Sequence, residues 1–311
     1  MSQRLAALTG ATGFLGQHLV RALADAGWRV RLLARRDPVS PFWRGLDPEV
    51  VPGDLGDGAA LASLCAGADL VIHAAGLIAG APERMRAVNV EGARRLAQAA
   101  GRTAPDAHVI LISSLAAREP QLSPYAATKR AGEDAARAVL GPRLSIVRPP
   151  AIYGPGDRET LGLFQAAASS PALPVLDPRA RLAVIHVEDA ARQIVAMAAN
   201  PSAGAVGLCD ARPEGYPWRE LMQTASVALE RQPRLIRIPK ALVFALASVA
   251  GASNGWRHGK VTFTLGKVRE LTHLDWGIRP DELATGAPAP VYDLLSGFQQ
   301  TVAWYRKSGW L

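Results

Sequence analysis

Cysteine is nearly absent from this chain of 311 residues, which contains only Cys65 and Cys209. Two cysteines are too few for a disulfide framework or for a cysteine-rich metal site. Both lie in apolar or glycine-rich sequence, so we expect buried, reduced thiols. The six histidines show no ligand spacing, and the sequence therefore predicts no metal centre.

Long apolar runs are also lacking. The longest, Ala241 to Ala252, is shorter than the about 20 residues that span a bilayer, so no transmembrane helix is predicted. We expect a buried helix there, and a surface that touches a membrane peripherally or admits an apolar substrate is the alternative. The N-terminus leads almost directly into a predicted strand without a signal-peptide pattern, which leads us to expect a cytoplasmic protein.

Aromatic residues are few, at 6%, whereas hydrophobic residues reach 49% and charged residues 20%, an ordinary globular composition. The net charge is +8, from 35 Lys and Arg against 27 Asp and Glu. The basic residues are scattered, mostly Arg, with no interleaved aromatic platform, so we expect no nucleic-acid partner. Such an excess of cations can steer an anionic ligand, for example a pyrophosphate cofactor.

A glycine-rich turn follows the first predicted strand. Gly10, Gly13 and Gly16, in the string TGATGFLG (residues 9–16), have Gly-x-x-Gly-x-x-Gly spacing. Glycines at a strand-to-helix turn let the backbone turn tightly and let a pyrophosphate approach, while the helix N-terminus offers N–H groups to the phosphates. The turn therefore predicts a dinucleotide site, whose expected residues here are Gly10, Thr12, Gly13, Phe14, Leu15 and Gly16.

Strand and helix signals alternate through the first half of the chain, which favours a parallel sheet covered on both faces. The predicted strands are Leu5–Leu8, Arg29–Ala34, Glu49–Val51, Asp69–His73, His108–Ser113, Leu144–Val147, Leu182–Ile185 and Val206–Leu208. The predicted helices are Phe14–Ala26, Arg84–Gly101, Ser123–Leu140, Glu188–Ala199 and Val291–Arg306. Residues 148–157 (RPPAIYGPGD) are rich in proline and glycine and are predicted to form a loop.

The predicted fold class is α/β, a Rossmann-type doubly wound parallel sheet with a smaller, mostly helical C-terminal substrate domain. Residues 1–155 and 182–210 are expected to form the dinucleotide-binding core. Residues 156–181 and 211–311 are expected to form the substrate-binding region.

The end of the second strand bears on the choice of cofactor. NAD-preferring sites usually place a carboxylate there, but this chain has Ala34 followed by Arg35 and Arg36. A guanidinium can hold a 2′-phosphate with paired hydrogen bonds, so we expect NADP(H) to be favoured over NAD(H). The alternative is that the two arginines only solvate a loop.

Tyr125 and Lys129 have Tyr-x-x-x-Lys spacing on a predicted helix, so both side chains lie on one helical face. A phenol titrates at about 10, and a nearby ammonium group favours its ionised form and lowers its pKa. On spacing alone, a solvated helix face explains the pair as well. The strand-ending LISS at 111–114, just upstream, favours a catalytic pair.

Four strings, TGATGFLG, SPYAATKRAGE, RPPAIYGPGD and IHVEDAA, resemble the extended short-chain dehydrogenases/reductases, also called the NAD-dependent epimerase/dehydratase family. The resemblance covers most of the first two hundred residues. It implies that Tyr125 transfers the proton, that Lys129 holds the nicotinamide ribose, and that Ser114, rather than Ser113, steadies the substrate oxygen. Asn89 either orients the active site or bridges helix and sheet.

The resemblance also implies further contacts with the cofactor. Asp54 and Leu55 match an Asp-Leu pair that contacts adenine. The other implied positions follow the fourth strand or lie in the proline-rich segment: Ala74, Ala75, Gly76, Pro149 and Ile152. His73 and His186 are expected to be structural residues.

The reaction predicted is hydride transfer between NADP(H) and a hydrophobic ketone, aldehyde or secondary alcohol. Family dehydratases carry Asp-Glu where Leu115 and Ala116 stand, which disfavours dehydration. Sugar-nucleotide enzymes carry Arg-Asp-aromatic where residues 182–184 are Leu-Ala-Val, although Arg179 and Arg181 lie close by. The alternatives are a sugar-nucleotide epimerase and a non-catalytic NADP(H)-binding subunit, and a homodimer is left open.

Overall fold

A computed structural model describes residues 3–245 and 264–311. The chain forms two compact units. The first comprises Met1–Pro149, Ala190–Gly207 and Ala284–Pro288. The second comprises Pro150–Asp189, Leu208–Leu283 and Ala289–Leu311. The expected roles of the two regions in binding cofactor and substrate stay predictions.

The first unit is built on a seven-stranded parallel sheet with the order β11-β6-β5-β4-β1-β2-β3. Its strands are β1 Leu5–Thr9, β2 Arg29–Ala34, β3 Glu49–Pro52, β4 Leu70–His73, β5 His108–Ile112, β6 Leu144–Arg148 and β11 Ala205–Gly207. The strand order reverses between β1 and β4, and such a switch point is where doubly wound sheets bind their ligands. The predicted Rossmann-type α/β fold is confirmed.

Helices connect these strands and cover the sheet. They are α1 Phe14–Asp25, α2 Gly58–Cys65, α3 Pro82–Arg86, α4 Gly92–Thr103, α5 Pro124–Leu140 and α7 Val187–Ala196. The side chains of Asp57 and Ser123 accept hydrogen bonds from backbone N–H groups in the first turns of α2 and α5, which sets where these helices begin. Small alanines of α4 pack with Leu61, Leu64 and Leu96 into a fully buried core against the sheet.

The prediction that residues 148–157 form a loop is wrong in part, because a strand of the second unit lies within them. Within that segment, Ala151–Tyr153 forms strand β7, which pairs in parallel with β10 (Val184–His186). The predicted strand Leu182–Ile185 is likewise divided, because β9 (Arg181–Leu182) pairs with β12 and β14 instead. The remaining strands are β8 Ala172–Val175, β12 Tyr216–Pro217, β13 Arg234–Arg237 and β14 Asp275–Trp276.

Helices and aromatic side chains form the core of the second unit. The helices are α6 Leu161–Ser169, α8 Trp218–Ala228, Leu265–Leu271 and the C-terminal helix Leu294–Lys307. Tyr153, Phe164 and Phe298 meet edge to face, with ring centroids 4.9 and 5.1 Å apart. Gly297 admits this packing, since a Cβ there would lie 2.3 Å from the Tyr153 hydroxyl oxygen.

The apolar run Ala241 to Ala252 is described only in part. Residues 240–245 are helical and Val243 is buried, whereas residues 246–252 lie outside the described ranges. Within those ranges, no helix is both long and apolar enough to cross a membrane.

The two cysteines differ in exposure. Cys65 is buried as expected, but Cys209 is half-buried. Burial raises the pKa of both thiols, to about 12 for Cys65 and about 11 for Cys209, so neither is activated as a nucleophile.

Candidate active site

The glycine turn lies at the switch point of the sheet. Gly10 follows β1 with φ +77°, and a Cβ there would lie 2.5 Å from the Ala75 nitrogen. A Cβ on Gly16 would lie 2.0 Å from the Gly10 carbonyl oxygen. Gly13 precedes α1 and makes no side-chain capping bond to the first turn of that helix, and an uncapped helix N-terminus is a common anion site. The turn therefore fits a dinucleotide pyrophosphate.

The other residues predicted in the turn have mixed exposure. Thr12 is exposed, whereas Phe14 and Leu15 are half-buried in the first turn of α1. The chain after β4 runs beside this turn, because Ala74 N–H donates to the Thr9 carbonyl at 3.1 Å. Ala74 and Ala75 are half-buried and Gly76 is exposed.

The two residues of the Asp-Leu pair after β3 have different surroundings. Asp54 is exposed, and its carboxylate accepts the Gly56 N–H at 2.7 Å. Leu55 packs against the core, and its Cδ1 would lie 2.7 Å from a Cβ on Gly92. Asp54 is thus on the surface and Leu55 serves the helix packing, and their predicted contact with adenine stays a prediction.

Arg35 and Arg36 follow Ala34 directly at the end of β2, and both are exposed, as is Asp37. Ala34 is buried and carries no carboxylate. The strand end therefore presents two cations to solvent where dinucleotide-binding Rossmann folds usually place the carboxylate for the ribose 2′-OH.

Tyr125 and Lys129 occupy the first turns of α5, and both are half-buried. Lys129 Nζ donates to the Ile112 carbonyl at the end of β5, at 2.7 Å. A Cβ on Gly76 would lie 3.6 Å from the same Nζ. Lys129 is therefore held at the carboxyl ends of β4 and β5, and doubly wound sheets bind their ligands outside the carboxyl ends of the strands.

Burial lowers the pKa of Lys129 to about 8, and the carboxylate of Glu133 opposes this shift. A buried lysine whose pKa lies well below its usual value is a typical feature of an active site. Burial also lowers the pKa of His73 to about 3, with a further contribution from the Lys129 charge. His73 is thus neutral, and its Nδ1 forms a 2.6 Å hydrogen bond with Thr9 Oγ1, as expected of a structural residue.

Asn89 lies in a π-helical turn, Ala87–Glu91, that joins α3 and α4. Its side chain accepts the Leu77 N–H at 2.8 Å and donates to the Leu77 carbonyl at 2.9 Å. It also donates to Thr128 Oγ1 at 3.0 Å, and Thr128 in turn donates to the Tyr125 carbonyl at 3.0 Å. Asn89 therefore joins the loop after β4 to the helix that carries Tyr125, and a role in orienting the active site stays a prediction.

Ser113 and Ser114 are used differently by the protein. Ser113 is buried and donates to the Glu133 carboxylate at 2.5 Å. Ser114 is half-buried, and its Oγ accepts the Ala116 N–H at 3.2 Å. The described ranges contain no acceptor for the Ser114 hydroxyl proton, which can therefore be donated to a ligand oxygen.

Glu133 is a residue of the site that the sequence interpretation did not identify. Its buried carboxylate accepts two hydrogen bonds from Arg148, at 2.9 and 2.6 Å, besides the one from Ser113. These bonds join α5 to the ends of β5 and β6. The position of Glu133, four residues after Lys129 on the same helix, was a signal that could have indicated it.

Two of the predicted cofactor contacts, Pro149 and Ile152, belong to different units. Pro149 closes the first unit, and its carbonyl accepts the Leu115 N–H at 2.9 Å. Ile152 belongs to the second unit, where it is half-buried and pairs with Ile185. Their predicted contacts with the cofactor stay predictions.

Arg179 and Arg181 have local partners within the second unit. Arg179 pairs with the Asp177 carboxylate at 2.7 Å on the surface, and Arg181 donates to the Pro178 and Ala180 carbonyls. Ala183 and Val184 are buried. His186 is the last residue of β10 and is fully buried. The centroid of its ring lies 3.9 Å from that of the Tyr292 ring, which agrees with the packing role expected of it.

Known proteins are similar to this chain in sequence and in fold. A family model described as the NAD dependent epimerase/dehydratase family matches residues 6–208. Ceramide reductase of Caulobacter vibrioides is 55% identical over 306 residues, which cover 98% of this chain and 95% of that protein.

Two solved structures have the same fold. The crystal structure of gox2253 has a TM-score of 0.77 at 23% identity and covers 100% of both chains. MoeE5 in complex with UDP-glucose and NAD has a TM-score of 0.69 at 21% identity, over 98% of this chain and 99% of that one.

Proposed function

The chain belongs to the NAD dependent epimerase/dehydratase family, and from this we propose that it is an NADP(H)-dependent reductase of a ceramide-type ketone. It is an oxidoreductase, and proteins of this family and fold bind NAD(P) nucleotides. The finer proposal names the cofactor, the reacting residues and the substrate class. The observation that carries it is the half-buried Tyr125–Lys129 pair, with Lys129 next to the chain after β4, in a chain similar to a ceramide reductase.

When bound, the dinucleotide supplies the hydride. Tyr125 donates its phenol proton to the carbonyl oxygen of the substrate, and Ser114 donates a hydrogen bond to the same oxygen. Lys129 stays cationic, favours ionisation of the phenol and binds the ribose. Asn89 and Thr128 position the backbone of Tyr125. Together these residues hold the carbonyl, supply its proton and stabilise the charge that develops on oxygen.

The substrate class follows from the chemistry of a ceramide, which is a long-chain amide with a secondary alcohol. Ser-Tyr-Lys chemistry interconverts a secondary alcohol and its ketone, so we propose the ketone that corresponds to this hydroxyl. The apolar Leu182-Ala183-Val184 segment and the locally paired Arg179 and Arg181 support an apolar substrate over a nucleotide sugar. The similarity to MoeE5, at 21% identity, extends to the fold alone.

The direct test follows the absorbance of NADPH, with NADH in parallel, as the protein is mixed with a ceramide-type ketone or with a nucleotide sugar. We expect NADPH to be consumed with the ketone alone. The variant Tyr125→Phe should lose at least about a hundredfold in turnover, the usual contribution of a general acid, while its affinity for NADPH stays within about threefold.

Each other outcome contradicts a distinct part of the proposal. Unchanged turnover in Tyr125→Phe would remove the assigned proton donor. Conversion of the nucleotide sugar without net NADPH consumption indicates an epimerase. Binding of NADPH with no conversion of either compound would indicate a non-catalytic subunit.

A further inference from the structure

Residues 227–242 of the second unit combine exposed cations with exposed apolar side chains. We propose that this segment, the basic strand surface, docks the protein on anionic lipid bilayers. The proposal rests on the proposed function, since the long apolar chains of such a substrate are excluded from water and the substrate therefore resides in a bilayer.

The cations of this surface come from its loop and strand residues. Arg231, Arg234, Arg237 and Lys240 are all exposed, and Glu230 is the one acidic residue in the segment. Within residues 3–245 and 264–311, none of these four cations forms an ion pair. The charge of Arg237 acts on Asp177, which is already paired with Arg179. Most of the positive charge is therefore available to an external anion.

Three exposed apolar side chains occur among these cations in the sequence. Val227 is 56% exposed, Ile236 53% and Leu242 49%. In strand β13 (Arg234–Arg237), Leu235 packs against the core of the unit, so Arg234 and Ile236 share the opposite face. An exposed isoleucine next to an unpaired arginine suits a lipid interface. The arginine can contact the anionic headgroups while the isoleucine contacts the acyl chains below them.

The combination distinguishes a bilayer from other anions. A nucleic acid would use the cations but would leave Val227, Ile236 and Leu242 in water, and the segment has no exposed aromatic ring on which a base could stack. An anionic bilayer satisfies both sets of side chains. Each cation near such a surface contributes about a fivefold increase in partitioning, so a few of them produce measurable binding.

The experiment is co-sedimentation of the full chain with vesicles of phosphatidylglycerol and phosphatidylcholine in equal parts, and with vesicles of pure phosphatidylcholine. We expect binding to the anionic vesicles that weakens as salt is raised. The double variant Arg231→Glu/Arg234→Glu should bind at least about tenfold more weakly. The variant Ile236→Ser should bind more weakly at every salt concentration, because it loses an apolar contact and keeps the charge.

The matched control is Arg102→Glu/Arg137→Glu, which reverses two exposed arginines of α4 and α5 in the first unit and should bind as the unaltered protein does. Equal binding to both vesicle types, no binding, or the same loss in the control would overturn the proposal. Tighter binding to a DNA duplex than to anionic vesicles would overturn it as well.

A second assay separates docking from catalysis. All these variants should reduce a short, water-soluble ketone as fast as the unaltered protein, because none of the altered residues belongs to the active site. If the unaltered protein reduces ketones but ignores vesicles, the docking proposal alone is wrong. If it binds vesicles but reduces no ketone, the proposed function is wrong. The docking surface is then real, but a lipid substrate does not explain it.

Discussion

Lys129 carries the most informative electrostatics at the scale of single residues. Its ammonium group donates to a backbone carbonyl at the end of β5 and is half-buried. Burial disfavours the charged form and lowers its pKa to about 8, well below the value of 10.5 for a free lysine. The residue thus changes charge in a range where enzyme assays are routinely made.

This shift predicts an alkaline limb in the rate. Below about pH 8 Lys129 is cationic and supports the phenol, and above it the charge is lost, so kcat/KM for reduction should fall as pH rises through about 8. The pH profile of kcat/KM measures this. In Lys129→Arg the guanidinium keeps its charge, so the residual activity should lose that limb. A limb that persists near pH 8 in this variant would assign it to another group.

Arg35 and Arg36 support a second prediction at this scale. Replacing both by alanine should raise the Kd of NADPH about tenfold or more, since charge-assisted hydrogen bonds to the 2′-phosphate are lost, and should change that of NADH little. Fluorescence titration with both cofactors measures the two constants. Arg29→Ala, at the opposite end of the same strand, is the matched control. An equal loss for both cofactors would contradict binding of the 2′-phosphate, and no loss for either would show that these arginines only solvate the loop.

Sequence predicts single residues well where the backbone or the spacing determines them. Gly10 and Gly16 were predictable because no side chain fits there, and Tyr125 and Lys129 because their spacing places them on one helical face. Thr128 was not, because its role comes from Asn89, far away in the chain. A contact between residues that are far apart in the chain leaves no signal in the local sequence.

At the scale of elements, α5 is anchored to the sheet by the carboxylate of Glu133. Ser113 at the end of β5 and Arg148 at the end of β6 both donate to it, and Glu133 is 2% exposed. A buried pair of this kind determines how the helix lies on the strands, and through the helix it positions Lys129 and Tyr125. The same helix also carries an exposed pair, Arg130 and Asp134.

The two pairs give a controlled comparison. Glu133→Gln keeps the volume but removes the charge that Arg148 faces, so the free energy of unfolding should fall by about 3–5 kcal/mol. Asp134→Asn breaks an exposed pair one residue away and should lower it by less than about 1 kcal/mol. Urea denaturation measures both. Equal losses would mean that the Glu133 carboxylate does not anchor the helix.

Boundaries of the elements in the first unit were largely predictable, whereas in the second unit the C-terminal helix was predicted to within three residues and the short strands were not. Strand β7 was predicted as a loop because its prolines and glycines dominate the local pattern. It forms because β10, more than thirty residues later, supplies its hydrogen-bonding partner. Helix α2 had no prediction, since its Ala-rich sequence lacks a clear polar face. Short elements that form only against partners distant in the chain cannot be predicted from the local sequence.

At the scale of the molecule, composition and charge determine how stability responds to acid. The chain already has a net charge of +8, and protonation of carboxylates adds to it as the pH falls. Against this background His73 is unusual, since it is 3% exposed and cannot take up a proton easily in the folded state. An unfolded chain has no such restriction.

The pKa of His73 therefore makes a prediction about global stability. It is about 3 in the folded protein and about 6.5 in an unfolded chain, so the unfolded state binds the extra proton between these values. The stability contributed by neutral His73 is present above about pH 6.5 and is lost as the pH falls towards 3. The loss is on the order of a few kcal/mol if the folded state stays intact.

The variant His73→Gln isolates this contribution, because glutamine can still bond to Thr9 but does not titrate. Urea denaturation at several pH values between 7.5 and 4 should show a shallower loss of stability in the variant than in the unaltered protein. Carboxylates and His108, whose pKa burial also lowers, are present in both proteins and cancel in the difference. Parallel curves would mean that His73 accepts a proton in the folded state, and its bond to Thr9 would then have to rearrange at low pH.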